Sequence, residues 1–267
     1  MGLSVYARAW RAGIIACGLA WFGPVDLRAE TPEPSTPPPE LIQRSAEPFG
    51  LAASFLTSGG LHDKWLGVQR WLDDEMVQLA LCEGDRDGCV SPAALKFLDI
   101  VDAARSREGR ARLGEINRAI NLAIRPISDL AQHGEVDVWT SPLATLARGG
   151  GDCEDYAIAK FIALRRAGLA PDDLRIVVLR DTIHGEDHAV AAARLDGRWL
   201  TLDNRRMAMV EDADVRNFRP TFVIGQHGVM RYADGSLLAD TAGNNPVASL
   251  VVSSLAASAD RLPGHAD

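Results

Sequence analysis

Gly149-Gly150-Gly151-Asp152-Cys153-Glu154-Asp155-Tyr156 divides the chain into two kinds of pattern. Upstream of it, apolar residues recur at helical spacing; downstream, they fall into strand-like runs. The three glycines permit a sharp turn and leave room for another chain to come close. Cys153 then opens an apolar, helix-periodic segment reaching about Arg166. A cysteine at a helix N-terminus sits at the positive end of the macrodipole, which favours the nucleophilic thiolate over the thiol. Cys153 is therefore a candidate nucleophile. The competing reading is a buried structural cysteine, since free cysteine is among the most buried residue types.

Downstream, residues 174–181, 188–195 and 198–203 read as strands, with a further strand over 221–224. Asp196-Gly197 is a strong two-residue turn signal. With that turn, residue 195 opposes 198, and Val190 faces Asp203. Side chains alternate faces along a strand, so His188 shares a face with Val190 and is a diagonal neighbour of Asp203. Such diagonals stand roughly 7–8 Å apart, within reach of an imidazole and a carboxylate. Cys153, His188 and Asp203 then form a candidate triad. In it, His188 takes the thiol proton and returns it to a leaving amine, while Asp203 holds the ring tautomer and stabilises the imidazolium. His184 competes with His188 but falls in the loop-like stretch 182–187. Taken singly, His188 also reads as a surface histidine and Asp203 as a turn carboxylate.

Upstream, residues 61–81 carry Leu61, Trp65, Val68, Leu72, Met76 and Leu79 on one helical face. Ser91-Pro92 supplies an N-cap and a first-turn proline for a second helix to about Arg105. A third spans about 110–123, where Arg125-Pro126 ends or kinks it. Residues 127–134 read as a helical turn or two, and 135–142 as an extended approach to the glycines. Trp139 on that approach fits either a cleft wall or the core. Helices first, then a nucleophile-bearing helix, then an antiparallel sheet make the fold class α+β.

The formal net charge of −8 and the scattered arginines argue against nucleic acid as a partner, because phosphate neutralisation needs a clustered basic surface. Residues 1–29 read as a secretory signal peptide: Arg8 and Arg11 precede an apolar run from Ala12 to Gly23, with a cleavage site after Ala29. The run is too short to span a bilayer, so no membrane span remains after signal removal. A lipoprotein site at Cys17 is the rival reading, with too little apolar sequence before it. Signal removal leaves Cys82, Cys89 and Cys153. Cys82 and Cys89 flank a polar, glycine-containing loop, and pairing them leaves Cys153 free. Five prolines in residues 31–40 make a semi-rigid tether, so residues 30–45 read as a linker. The folded domain is then 46–242, followed by a tail over 243–267.

The Gly150–Tyr156 stretch, the strand start His188-Ala189-Val190 and Leu202-Asp203-Asn204 together resemble the LapG-like family of bacterial transglutaminase-like cysteine peptidases. The similarity extends over about residues 65–229 and includes Asn117, Asn121, Asp137-Val138-Trp139 and Ser141-Pro142-Leu143. It implies a papain-like, transglutaminase-type core with an N-terminal helical lobe, a triad at Cys153, His188 and Asp203, and periplasmic cleavage of a large surface adhesin. It also implies an inner-membrane receptor's periplasmic domain as a partner. Two alternatives stay open: acyl transfer to an amine through the same thioester, and a non-catalytic binding protein on the same fold.

Asp152, Glu154 and Asp155 crowd Cys153, and Glu186 and Asp187 precede His188. Negative charge near a thiol raises its pKa and opposes the helix dipole. Acidic residues in a first helical turn cap the helix, with Asp152 as N-cap. Alternatively, several carboxylates brought together suit a hard cation such as Ca2+. The resemblance favours calcium, with Asp152, Glu154, Asp155 and Asp187 as its ligands.

Overall fold

The computed structural model describes residues 45–233. After a short strand β1 (Ala53–Phe55), three long helices follow: α1 (Gly60–Gly84), α2 (Pro92–Arg105) and α3 (Gly109–Ala123). Ser91 caps α2 by accepting from the Ala94 N–H at 3.2 Å. The chain then runs through β2 (Arg125–Pro126), α4 (Asp129–His133), α5 (Pro142–Arg148) and β3 (Gly150–Gly151) into α6 (Cys153–Arg166). The remaining strands are β4 (Leu174–Asp181), β5 (Asp187–Leu195), β6 (Arg198–Leu202), β7 (Val210–Glu211), β8 (Phe218–Gly225) and β9 (Gly228–Tyr232).

Seven of these strands form one antiparallel sheet in the order β1-β9-β8-β4-β5-β6-β7. The architecture is the expected α+β arrangement. Leu195 opposes Arg198 and Ala191 opposes Leu202, which is the register that the Asp196-Gly197 turn predicts. Asp196 adopts φ 51° and Gly197 φ 78°, the left-handed pair that such a turn needs.

The alternation of β5 builds two cores. Ala189, Ala191 and Ala193 pack with the helices, whereas Val190 and Ala192 join Leu179, Trp199 and Tyr232 in a second cluster on the other side of the sheet. Small side chains on the helix side let α6 lie close to the sheet. Every residue of α6 from Glu154 to Leu164 is buried, so this helix is the centre of the molecule rather than an amphipathic cover. The parallel bridge of Arg125 with Gly150 and Pro126 with Gly151 ties the end of α3 to the glycine approach and fixes where α6 begins.

The expected extended approach over 135–142 is not continuous: residues 135–137 bend, with Asp137 at φ 65°, and α5, which the sequence reading did not anticipate, starts at Pro142. Ser141 Oγ and the Leu143 N–H both donate to the buried Glu75 carboxylate of α1, which caps α5 from a distance in sequence. Cys82 and Cys89 form a disulfide, leaving Cys153 free. Among the described residues, no helix is long and apolar enough to cross a membrane. The expected signal peptide, most of the linker and the tail lie outside the described residues.

Candidate active site

The fold brings Cys153, His188 and Ala189 to one cleft of about 500 Å3, walled by Leu61, Val136, Trp139, Val178 and Phe222. Trp139 serves both of its expected roles: it is 7% exposed and lines the cleft. Two other cavities of similar volume contain neither a free thiol nor a histidine. His188 is buried, and its Nε2 lies 2.9 Å from Asp203 Oδ1, the diagonal contact expected from the hairpin register. Burial pushes the Asp203 carboxyl up, but the His188 bond and charge, the Arg205 N–H and the nearby Lys160 outweigh it and hold the group below the usual carboxylate range. With Nε2 engaged, the remaining ring nitrogen Nδ1 is buried and has no hydrogen-bond partner. That nitrogen is available to a thiol. His184, by contrast, is exposed and bonds Asp181 at 2.9 Å, outside the cleft lining.

Cys153 opens α6, as expected, but its thiol is not poised as a thiolate in this electrostatic setting. Burial, the Glu154 charge and the 3.1 Å bond to Glu154 Oε2 push it well above the usual thiol range, against the helix dipole and an N–H donated by Ala189. The acidic neighbours add to the effect of burial, and they are not acting as caps. Asp152 holds the N-cap position, yet its side chain accepts no capping bond.

Asp152 and Asp155 instead converge with Asp129 of α4, one carboxylate oxygen from each lying within 4.8 Å of the others. Each carboxylate has a buried oxygen with no hydrogen-bond partner, Asp129 Oδ1, Asp152 Oδ1 and Asp155 Oδ2, with His133 Nε2 standing 4.0 Å from the first. The opposite oxygens of Asp129 and Asp155 are fixed, the first by the Val138 N–H and the second by the N–H and hydroxyl of Thr140 at 2.9 and 2.7 Å. Gly151 is required here, because a Cβ at that position would stand 2.6 Å from Asp155 Oδ2. Burial and neighbouring charges push Asp155 up to about 6 and raise Asp152 as well. Orphaned, mutually repelling carboxylate oxygens held by fixed backbone are the donor set of a hard divalent cation, so these residues fit calcium.

Residues 77–218 match the family described as bacterial transglutaminase-like cysteine proteinase, which is more than half of the 267-residue chain. The chain belongs to this family. A search of curated proteins gives no match. Among solved structures, the peptidase is similar to Legionella pneumophila LapG at 22% identity, over 58% of this chain and 86% of that one, with a TM-score of 0.49. Calcium-bound LapG from the same organism matches at 22% identity, over 61% and 91%, again with a TM-score of 0.49. A putative cysteine protease from Cytophaga hutchinsonii matches at 18% identity, over 52% of each chain, with a TM-score of 0.32.

In this transglutaminase-like peptidase, the four expected acidic ligands divide. Asp152 and Asp155 stand in the carboxylate group, and Glu154 adjoins it through Asp152 and the thiol. Asp187 does not join. It is the first residue of β5, directly opposite Arg180 on β4, and its carboxylate pairs with that guanidinium at 3.1 Å in an exposed position. Asp129, which the sequence reading did not name, stands in the carboxylate group with Asp152 and Asp155. The only local signal was Ser128-Asp129 at the start of a five-residue helix, a pattern that reads as ordinary capping.

Proposed function

We propose that this transglutaminase-like cysteine peptidase is exported to the periplasm and makes a calcium-dependent cut in a large surface adhesin, with Cys153, His188 and Asp203 as its triad. The observation that carries the reading is the buried His188–Asp203 pair, whose free Nδ1 shares a cleft with the one free cysteine of the described residues. Nδ1 takes the Cys153 proton, and the sulfur attacks the scissile carbonyl. Backbone N–H groups at the α6 N-terminus offer donors and a positive dipole end to the oxyanion. His188 then gives the proton to the leaving amine, and water, deprotonated by the same nitrogen, releases the acyl group. Asp203 fixes the tautomer with the proton on Nε2 and stabilises the imidazolium.

Asp129, Asp152 and Asp155, with Glu154 beside them, would hold calcium, whose charge would offset the carboxylates that keep the Cys153 thiol protonated. The N-terminal apolar run and the Cys82–Cys89 disulfide support an oxidising compartment. The adhesin substrate and an inner-membrane receptor partner rest on the family resemblance of the sequence motifs.

The test is incubation of the purified protein with the N-terminal fragment of a large adhesin from the same organism, with calcium or a chelator, and fragment analysis by mass spectrometry. Cleavage at one bond, lost with the chelator and in Cys153→Ala, is the expected result. Amine incorporation without cleavage would move the chain to acyl transfer, and full biological activity of Cys153→Ala would make it a binding protein.

A further inference from the structure

Asp203 stands just past the end of β6, in a stretch without strand pairing until β7 begins at Val210. The carbonyls of this stretch are taken by side chains of the helical lobe. Lys160 Nζ of α6 donates to Leu202 O at 3.1 Å. Asn121 Nδ2 of α3 donates to Asp203 O at 3.1 Å and Arg206 O at 3.0 Å, and Asn117 Nδ2 donates to Arg206 O at 3.2 Å and Met207 O at 2.9 Å. Asn117 and Lys160 are both 0% exposed. Lys160 follows Cys153 by about two turns, so nucleophile and clamp lie along one face of one helix.

Stability alone does not account for these residues. Both asparagine Oδ1 atoms are buried without a hydrogen-bond partner, and Lys160 places an ionisable amine inside the core. An unpaired buried oxygen and a desolvated ammonium are each unfavourable, and apolar side chains of similar size would avoid both. What the three donors have in common is the backbone that carries Asp203.

We propose that Asn117, Asn121 and Lys160 are positioning residues that hold the Asp203 loop in register with the nucleophile helix, so that the Asp203 carboxylate meets His188 Nε2 and leaves Nδ1 for Cys153. The proposal rests on the triad reading. Asn117 and Asn121 belong to the motifs by which the sequence resembles its family, and the triad itself gives them no role. Holding the loop from the helices couples the sheet half of the site to the helical half. Geometry errors of about 1 Å in such a constellation reduce turnover by as much as roughly 100-fold.

The experiment uses the full chain and reads the His188 Nε2–H proton by NMR, together with the rate of Cys153 alkylation by iodoacetamide. The variants are Asn121→Asp, which keeps the shape but turns two donors into acceptors, Lys160→Met, and Asp203→Asn as reference. Asn121→Ser, which removes both bonds without adding charge, stands in should Asn121→Asp not fold. The expected result is that the folded clamp variants lose or shift the hydrogen-bonded resonance and alkylate roughly tenfold more slowly. On a cleaved peptide, kcat falls while KM holds. An unchanged resonance and alkylation rate in folded clamp variants, with both altered in Asp203→Asn, would overturn the clamp and leave the triad standing. A resonance that survives in Asp203→Asn would overturn the triad reading and the clamp with it.

Discussion

Lys160 carries a pH signature of its own. Burial pushes its ammonium down to about 7, with the Asp203 charge working in the opposite direction. The unfolded chain therefore binds more protons than the folded one between about 7 and the ordinary lysine value near 10.4, and stability attributable to this group rises with pH across that window. As pH falls from about 10 towards 7, that contribution is lost. Urea midpoints of wild type and Lys160→Met at pH 6.5, 8 and 9.5 are expected to diverge, with wild type gaining on the variant at each step; parallel midpoints would mean that Lys160 stays charged in the fold. The site residues differ in how legible they were. His188 and Asp203 followed from counting outward from Asp196-Gly197, because a two-residue turn fixes the register of every residue in the hairpin. Asp129 was not legible, because it reaches Asp152 and Asp155 through tertiary packing, and spacing along a chain encodes no such meeting.

At the scale of elements, the long helices were read within a residue or a few of their ends, because each has one apolar face and an interruption at its terminus. The edge strands β1 and β7 were missed because they offer too few residues for a period to appear, and β9, next to β1, was missed as well. Only 221–224 of β8 was anticipated, because Pro220 interrupts its pattern. In the structure the register between β4 and β8 shifts at Val178 and Leu179, so Thr221 sits in a bulge that tolerates the missing N–H. The disulfide is an element-scale device too. It joins the end of α1 to the approach to α2 across a sequence separation of 7, and constraining so small a loop contributes about 2–3 kcal/mol. Leu61, at the cleft, and Cys82 are separated by roughly 30 Å of helix. A Cys82→Ala/Cys89→Ser pair is therefore expected to lower the unfolding free energy by about that amount and to leave kcat unchanged, as measured by chemical denaturation and peptide turnover; a large fall in kcat would show that α1 transmits strain to the cleft.

For the molecule as a whole, a cation bound at the carboxylate group would make stability depend on a ligand. Three elements meet there, α4 through Asp129, the glycine approach through Asp152, and α6 through Asp155, and without a cation their free oxygens oppose one another. A cation that binds only the folded chain stabilises it by mass action, about 2.7 kcal/mol at one hundred times its dissociation constant. Calcium titrated into chelator-treated protein is thus expected to raise the thermal midpoint, with magnesium less effective because it demands tighter octahedral geometry than fixed carboxylates supply. The ligand set is decided by two variants. Asp129→Asn is expected to weaken the calcium effect by at least the roughly tenfold that losing even an outer-shell partner costs, and Asp187→Asn to leave it intact, since Asp187 is engaged with Arg180. The reverse outcome would favour the ligand set that includes Asp187 and would leave Asp129 Oδ1 to His133, whose Nε2 stands 4.0 Å away.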